Sequence, residues 1–355
     1  MSTSLKPLDQ ITVKQGAYFQ DLLFQPQAIE KTLDWLGREN RWSKTSEFFK
    51  SCTWRRIILT GMGSSFHALH PLNLSLIAAG HTPVMMETSE LIHYGMSLCD
   101  EKTLIVAVSQ SGQSAEILRL LEENTKSKLI GVTNTEDGPL AARADLSLIT
   151  QAGDEFSVSC KTYVAGMLAL QWLAASIVGA EDEAVCMEKF ATVAGGIKAY
   201  LKSWRTHCEV LADKLQGMNH LFFVGRGYSL AAVGTGGLIT KEADHFHAEG
   251  MSSAAFRHGP MEMLQPDMFT VVFNGAPRTA SLNHRLMEEL TTRGVACAEI
   301  GPATDFAPFR LPDSDQLLQP IFEILPVEMI TLALAALTNR EAGFFEFATK
   351  ITATE

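Results

Sequence analysis

The sequence predicts an α/β fold in two similar halves, each built on a mainly parallel sheet. Short, apolar, β-branched runs alternate with stretches of helical spacing, as expected for strands covered by helices on both faces. Each half also opens alike, with a strand, a Gly-X-Gly turn and a helix: Gly61-Met-Gly63 in one, Gly225-Arg-Gly227 in the other. The length agrees, since 355 residues at roughly 150 per domain make about two.

The first strand runs read Arg56-Ile-Ile-Leu-Thr60, Leu104-Ile-Val-Ala-Val108, Leu129-Ile-Gly-Val-Thr133 and Leu146-Ser-Leu-Ile-Thr150. Between the second and third lies Ser114 to Glu123, with helical spacing. Val164 to Ala180 is the longest apolar run, broken by Gln171. As a helix it covers about 25 Å, short of a bilayer core of about 30 Å, so a buried core helix is expected and no membrane partner. Residues 181–216 read as a linker helix followed by the first helix of the second half. The strand pattern then returns at Leu221–Val224, Phe269–Phe273 and Val295–Ile300. The expected divisions are an N-terminal helical arm over 1–44, domains over 45–190 and 191–340, and a tail over 341–355 that reads as a closing arm.

Composition excludes several classes. Apolar residues make up 46%, too many for a disordered chain. The net charge of −11 gives a field that repels polyanions, so no nucleic-acid partner is expected. Nests of backbone N–H groups can still hold one small phosphate. The cysteines at 52, 99, 160, 186, 208 and 297 form no CxxC pair, which removes the zinc-ribbon and thioredoxin readings. Scattered thiols suit a reducing cytosol, and the opening MSTSLKPLDQITVKQ has no apolar leader core, so a cytoplasmic location is expected.

Four places have residues suited to chemistry. Val108-Ser-Gln-Ser-Gly-Gln-Ser114 follows a strand and opens a helix. Its three serines and two glutamines, with the unpaired N–H groups of a helix start, suit a phosphate monoester without any lysine. A plain serine N-cap is the alternative. It is no Walker A loop, since the Gly-Lys-Ser/Thr ending is missing. Gly61-Met-Gly-Ser-Ser65 is a second strand-to-helix turn, weak alone. In a doubly wound sheet, however, its Ser64 and Ser65 share a crevice with Ser109 to Ser114.

The third place is Lys241-Glu242, followed by His245, His247, Glu249 and Arg257-His258-Gly-Pro260. Glu242 and His258 offer a base and a second proton carrier, or else a solvated carboxylate and a turn histidine. The His-x-His-x-Glu run is a poor metal site, because positions i and i+2 do not share a helix face and HExxH is absent. The fourth is Lys350, in a base-poor tail; by itself it reads equally as a solvated terminal lysine.

At these residues the chain resembles the double-SIS-domain phosphosugar isomerase family. The nearer likeness is to the isomerase half of glucosamine-6-phosphate synthases and to stand-alone glucosamine-6-phosphate deaminases and fructosamino-acid 6-phosphate deglycases. The likeness rests on Gly63-Ser-Ser65, Ser109-Gln-Ser-Gly112, Ala152-Gly-Asp-Glu155 with Ser159 and Lys161-Thr162, Gly225-Arg-Gly227, Lys241-Glu242 with His247-Ala-Glu249, and His258-Gly-Pro260. It implies two SIS domains, each a flavodoxin-like three-layer α/β/α sandwich, and a homodimer with shared active sites. It implies that Ser65, Ser109, Gln110, Ser111 and Ser114 hold a sugar phosphate, and that Ser64 and Ser159 contact the sugar. It further implies Glu242 as the proton-transfer base, His258 as the ring-opening group reaching a partner's site, and Lys350 beside the sugar. No cofactor and no metal are implied.

Two departures stand out. Where the synthases carry a lysine three residues before the glutamate, this chain has Ile239. It also begins without a glutaminase, so on its own it is expected not to draw ammonia from glutamine. The resulting expectation is C1/C2 proton transfer on a hexose 6-phosphate or an amino-sugar 6-phosphate. A fructosamino-acid 6-phosphate deglycase and a non-catalytic sugar-phosphate sensor are the alternatives. A nicotinamide dehydrogenase is disfavoured, because neither Gly-X-Gly turn completes GxGxxG.

Overall fold

The computed structural model of the chain describes residues 12–275, 277–347, 349–350 and 352. The expected arm and tail fall partly outside them, at 1–11 and at 348, 351 and 353–355. Residues Gln25–Glu155, Lys161–Gly195 and Thr349–Glu355 form one compact unit. Met1–Phe24, Phe156–Cys160 and Gly196–Ala348 form the other.

The first unit holds a five-stranded parallel sheet, β1 (Arg56–Gly61), β2 (Pro83–Glu87), β3 (Thr103–Val108), β4 (Lys128–Thr133) and β5 (Leu146–Ile149), in the order β2-β1-β3-β4-β5. β3 is buried at every position, as its unbroken Leu-Ile-Val-Ala-Val run requires of a central strand covered on both faces. Alternation along the strands sends Ile105 and Ala107 to one core with Ile117 and Leu120 of the helix Ala115–Glu123. The helix Lys161–Val178 packs against the helices Gln25–Leu36, Arg41–Lys50 and His70–Ala78, with Trp172 edge-on to Trp42 at 5.4 Å.

The second unit repeats the plan with four parallel strands, β6 (His220–Gly225), β7 (His247–Ser252), β8 (Met268–Phe273) and β9 (Ala296–Ile300), in the order β7-β6-β8-β9. Phe222, Val224 and Val272 pack with Leu286 and Leu290 of the helix Ala280–Thr292. The helix Gln319–Leu337 packs against the helices Trp204–Leu215 and Leu230–Asp244. The stretch expected to join the halves is two helices, Glu183–Leu201 and Trp204–Leu215.

Among the described residues, two helices have the length and apolarity of membrane spans, Lys161–Val178 and Gln319–Leu337, but 83% and 100% of their apolar windows are buried inside the protein. Burial on all sides explains why these helices are hydrophobic all round.

Candidate functional site

Gly61 at the end of β1 lies in register with Val108 at the end of β3. The turns that follow therefore leave the sheet together at its carboxyl edge. In the order β2-β1-β3-β4-β5 the chain steps to one side after β1 and to the other after β3. Open α/β sheets bind ligands in the crevice at such a switch point. Ser64 and Ser65 start the short helix Gly63–His67 there, both half-buried.

The loop after β3 is pinned on three sides. The Ser109 N–H donates to the Val132 carbonyl at 3.0 Å, the Asn134 N–H to the Gln110 carbonyl at 3.0 Å, and the Leu140 N–H to the Gly112 carbonyl at 3.1 Å. Inside the loop, the Ser109 hydroxyl accepts from the Gly112 N–H at 3.2 Å and the Ser111 hydroxyl from the Gln113 N–H at 3.3 Å. A serine oxygen that accepts a backbone bond still has its own O–H to donate. Gly112 has φ +64°, and a Cβ there would meet the Thr133 hydroxyl at 2.8 Å, so this bend requires glycine. Ser114 occupies the N-cap position of the helix Ala115–Glu123, yet its side chain makes no capping bond. The bond that a plain cap would form is absent.

A polar network runs from this loop to the start of the helix Lys161–Val178. The Asn134 carboxamide accepts from the Thr150 hydroxyl at 3.0 Å and the Ala152 N–H at 2.9 Å, and donates to the Gly153 carbonyl at 2.9 Å. Two residues on, the buried Glu155 carboxylate accepts from the Thr162 N–H at 3.1 Å and the Thr162 hydroxyl at 2.6 Å. Lys350 donates to the same carboxylate at 2.5 Å. Asn134 is unmarked in the sequence, and Glu155 stands there only within the motif Ala152-Gly-Asp-Glu155, with no role of its own. Their signals were an asparagine just past a buried strand and an acid seven residues before a helical threonine.

Ser159, Glu242 and His258 belong to the other unit. Glu242 lies in the last turn of the helix Leu230–Asp244, half-buried, and the helix stops at His245 with φ +54°. Beside it, the Gly343 N–H donates to the Ala243 carbonyl at 2.9 Å, and the Ser157 hydroxyl to the Gly343 carbonyl at 2.6 Å. The segment carrying Ser159 and the stretch around Gly343 are thus tied to the helix end that carries Glu242. Asp244 is buried beneath, and burial, opposed by the Arg340 charge, pushes its carboxyl well above the usual range. His258 follows the helix Ser253–Arg257 and is exposed. Ile239 is wholly buried, packed into the core of its unit.

The loop serines, Gln110, Ser64, Ser65 and Lys350 thus share one unit, and Ser159, Glu242 and His258 share the other. Among the described residues, no group of three His, Cys, Asp or Glu is placed to hold a metal. His247 stacks edge-on against His220 at 5.2 Å, and His245 accepts from Arg340 at 3.0 Å.

The family model of the SIS domain matches twice, over residues 52–176 and 214–302, more than half of the chain. The chain belongs to the SIS-domain family. Each sheet with its helices is one SIS repeat, a three-layer α/β/α sandwich. This SIS protein is 29% identical over 338 residues to the glutamine–fructose-6-phosphate aminotransferase (isomerizing) of Thermococcus kodakarensis, covering 91% of this chain and 55% of that one. It spans about half the length of the curated relatives it matches. Among solved structures it resembles the C-terminal domain of glucosamine-fructose-6-phosphate aminotransferase from Francisella tularensis, with a TM-score of 0.78, 19% identity, and 93% and 98% of the two chains covered. It also resembles glucosamine-6-phosphate deaminase from Thermotoga maritima, with a TM-score of 0.75, 18% identity, and 92% and 96% covered.

Proposed function

We propose that this SIS protein is an enzyme that shifts a proton between C1 and C2 of a hexose 6-phosphate or amino-sugar 6-phosphate. The observation that carries the reading is the loop Ser109–Ser114, which brings hydroxyls and helix-start amides to the switch point of the first sheet. Neutral donors of this kind suit a phosphate dianion within an acidic chain.

In this reading Ser65, Ser109, Gln110, Ser111 and Ser114 take the phosphate, and Ser64 and Ser159 take sugar hydroxyls. His258 assists ring opening; its exposure suits a residue lent to a second copy of the chain, which makes the working unit a homodimer. Glu242 removes the proton from C2 of the open-chain aldose. The C–H electrons form the C1–C2 double bond while the C1=O π pair moves onto O1, which takes a proton; the product is an enediol, or an enolamine with an amino sugar, and the proton returns at C1. A ketimine formed this way hydrolyses with one water to a ketose phosphate and the free amine. Lys350 offers a positive charge to the developing oxyanion. No redox cofactor enters these steps. Six scattered cysteines with no CxxC pair support work in a reducing cytoplasm.

The test is turnover of fructose 6-phosphate, glucosamine 6-phosphate and fructosamino-acid 6-phosphates by the wild type and Glu242→Gln. A general base contributes ~10²–10⁴-fold, so the variant loses that factor in kcat while still binding the sugar phosphate. Full turnover by Glu242→Gln removes the base role. Tight binding without turnover by the wild type makes the protein a sensor, and release of an amino acid makes it a deglycase.

A further inference from the structure

The Glu155 carboxylate is wholly buried, and burying a carboxylate is costly unless hydrogen bonds and a partner charge compensate for the lost water. It has both. The Thr162 N–H is one of the donors that the start of the helix Lys161–Val178 leaves without an intrahelical partner, and the Thr162 hydroxyl adds a second bond. These two bonds fix the carboxylate to a rigid core helix. The third contact is of another kind. Lys350 comes from 195 residues away, and its side chain is 20% exposed. Two residues further on, the Thr352 carbonyl accepts the N–H of Ala115 at 3.2 Å. Ala115 directly follows Ser114 and is the first residue of the nine-residue helix Ala115–Glu123. Lys350 and Thr352 are therefore tied within one unit, the first to Glu155 and the second beside the serine loop.

We infer that Glu155 is a positioning residue, which sets the Lys350 ammonium and through it holds Thr352 beside the serine loop. The inference rests on the reading of Lys350 as an active-site group, but the tie itself does not. The geometry favours positioning because the carboxylate that receives the Lys350 ammonium is itself fixed by a helix start, and the bond from Ala115 lies two residues from that lysine.

The test pairs Glu155→Gln with Lys350→Met and the double variant, each checked for folding by thermal melts. Misplacement of a group by about 1 Å can cost ~10²-fold in rate. Glu155→Gln should therefore lower kcat by ~10–10²-fold with little change in KM, and the double variant should be no slower than Lys350→Met. A structural role alone would lower the melting temperature and leave kcat unchanged. Hydrogen exchange at the Ala115 amide gives a readout that needs no substrate, and it should quicken in Glu155→Gln. Unchanged exchange in a folded Glu155→Gln, or multiplicative losses in the double variant, overturns the inference. Faster exchange in a protein whose wild type turns over no sugar phosphate upholds the tie and removes the enzymatic reading instead.

Discussion

Gly61-Met-Gly63-Ser-Ser65 follows β1, and Gly225-Arg-Gly227-Tyr-Ser229 follows β6. The second glycine of each turn has positive φ, +52° and +62°. Each turn stands beside the stretch that follows the neighbouring strand, from Ser109 after β3 and from Asn274 after β8. The first begins Ser-Gln-Ser-Gly-Gln-Ser and the second Asn-Gly-Ala-Pro-Arg-Thr. Ser229 holds the place of Ser65, but its hydroxyl donates to Glu323 at 2.8 Å. Glu323 is 1% exposed, and a Cβ on Gly275 would lie 2.4 Å from its Oε1. In the second repeat, then, a carboxyl of the protein itself fills the space between turn and loop. Burial, opposed by the Ser229 bond, pushes that carboxyl up to about 7. A repeated scaffold does not repeat its site: the second turn faces an internal acid, where the first is proposed to face a ligand.

The largest effect expected from this contrast is on ligand binding. A hydrogen bond to a charged group is worth ~1.5–3 kcal/mol, so Ser109→Ala with Ser111→Ala should weaken binding of fructose 6-phosphate by ~10²–10⁴-fold in titration calorimetry. Ser229→Ala should leave that affinity unchanged while lowering stability, since it strips a bond from a buried acid. Equal loss of affinity in both variants would break the comparison.

The strands with unbroken apolar runs could be read directly, because a strand buried on both faces needs no polar alternation. β2 and β7 could not. They are edge strands: one begins at Pro83 with half-buried positions, and the other, His247-Ala-Glu-Gly-Met-Ser252, is largely polar. The serine loop stood out by its density of hydroxyls. The pairing of Glu155 with Lys350 has no local trace, because the partners are brought together only by the fold. Glu323 did leave one: a lone acid inside Gln319-Pro-Ile-Phe-Glu-Ile-Leu325, where an apolar helix has no solvated face to give it.

The next effect sharpens the contrast through pH. Glu323 binds its proton more tightly folded than unfolded, with about 7 against an ordinary 4.5. Its contribution is intact below 4.5, is lost as pH rises toward 7, and then stays lost, by about 3 kcal/mol in all. Asp244, also raised by burial, works in the same direction. Denaturant melts at pH 5 and pH 8 should show the wild type losing stability with rising pH, and Glu323→Gln losing less. Equal losses would mean the acid is not held protonated in the second repeat.

The smallest effect tests the filling of the space itself. Gly275→Ala pushes a methyl group toward the Glu323 carboxyl, and overpacking of this kind costs ~1–3 kcal/mol. Neighbouring substitutions that share one space are not additive. If the carboxyl is what occupies the second repeat's crevice, removing it with Glu323→Ala makes room for the methyl. Gly275→Ala should then cost less in the Glu323→Ala background than in the wild type, as read from denaturation midpoints at one pH. The same full cost in both backgrounds would place the crowding elsewhere, and the acid would no longer account for the difference between the two turns.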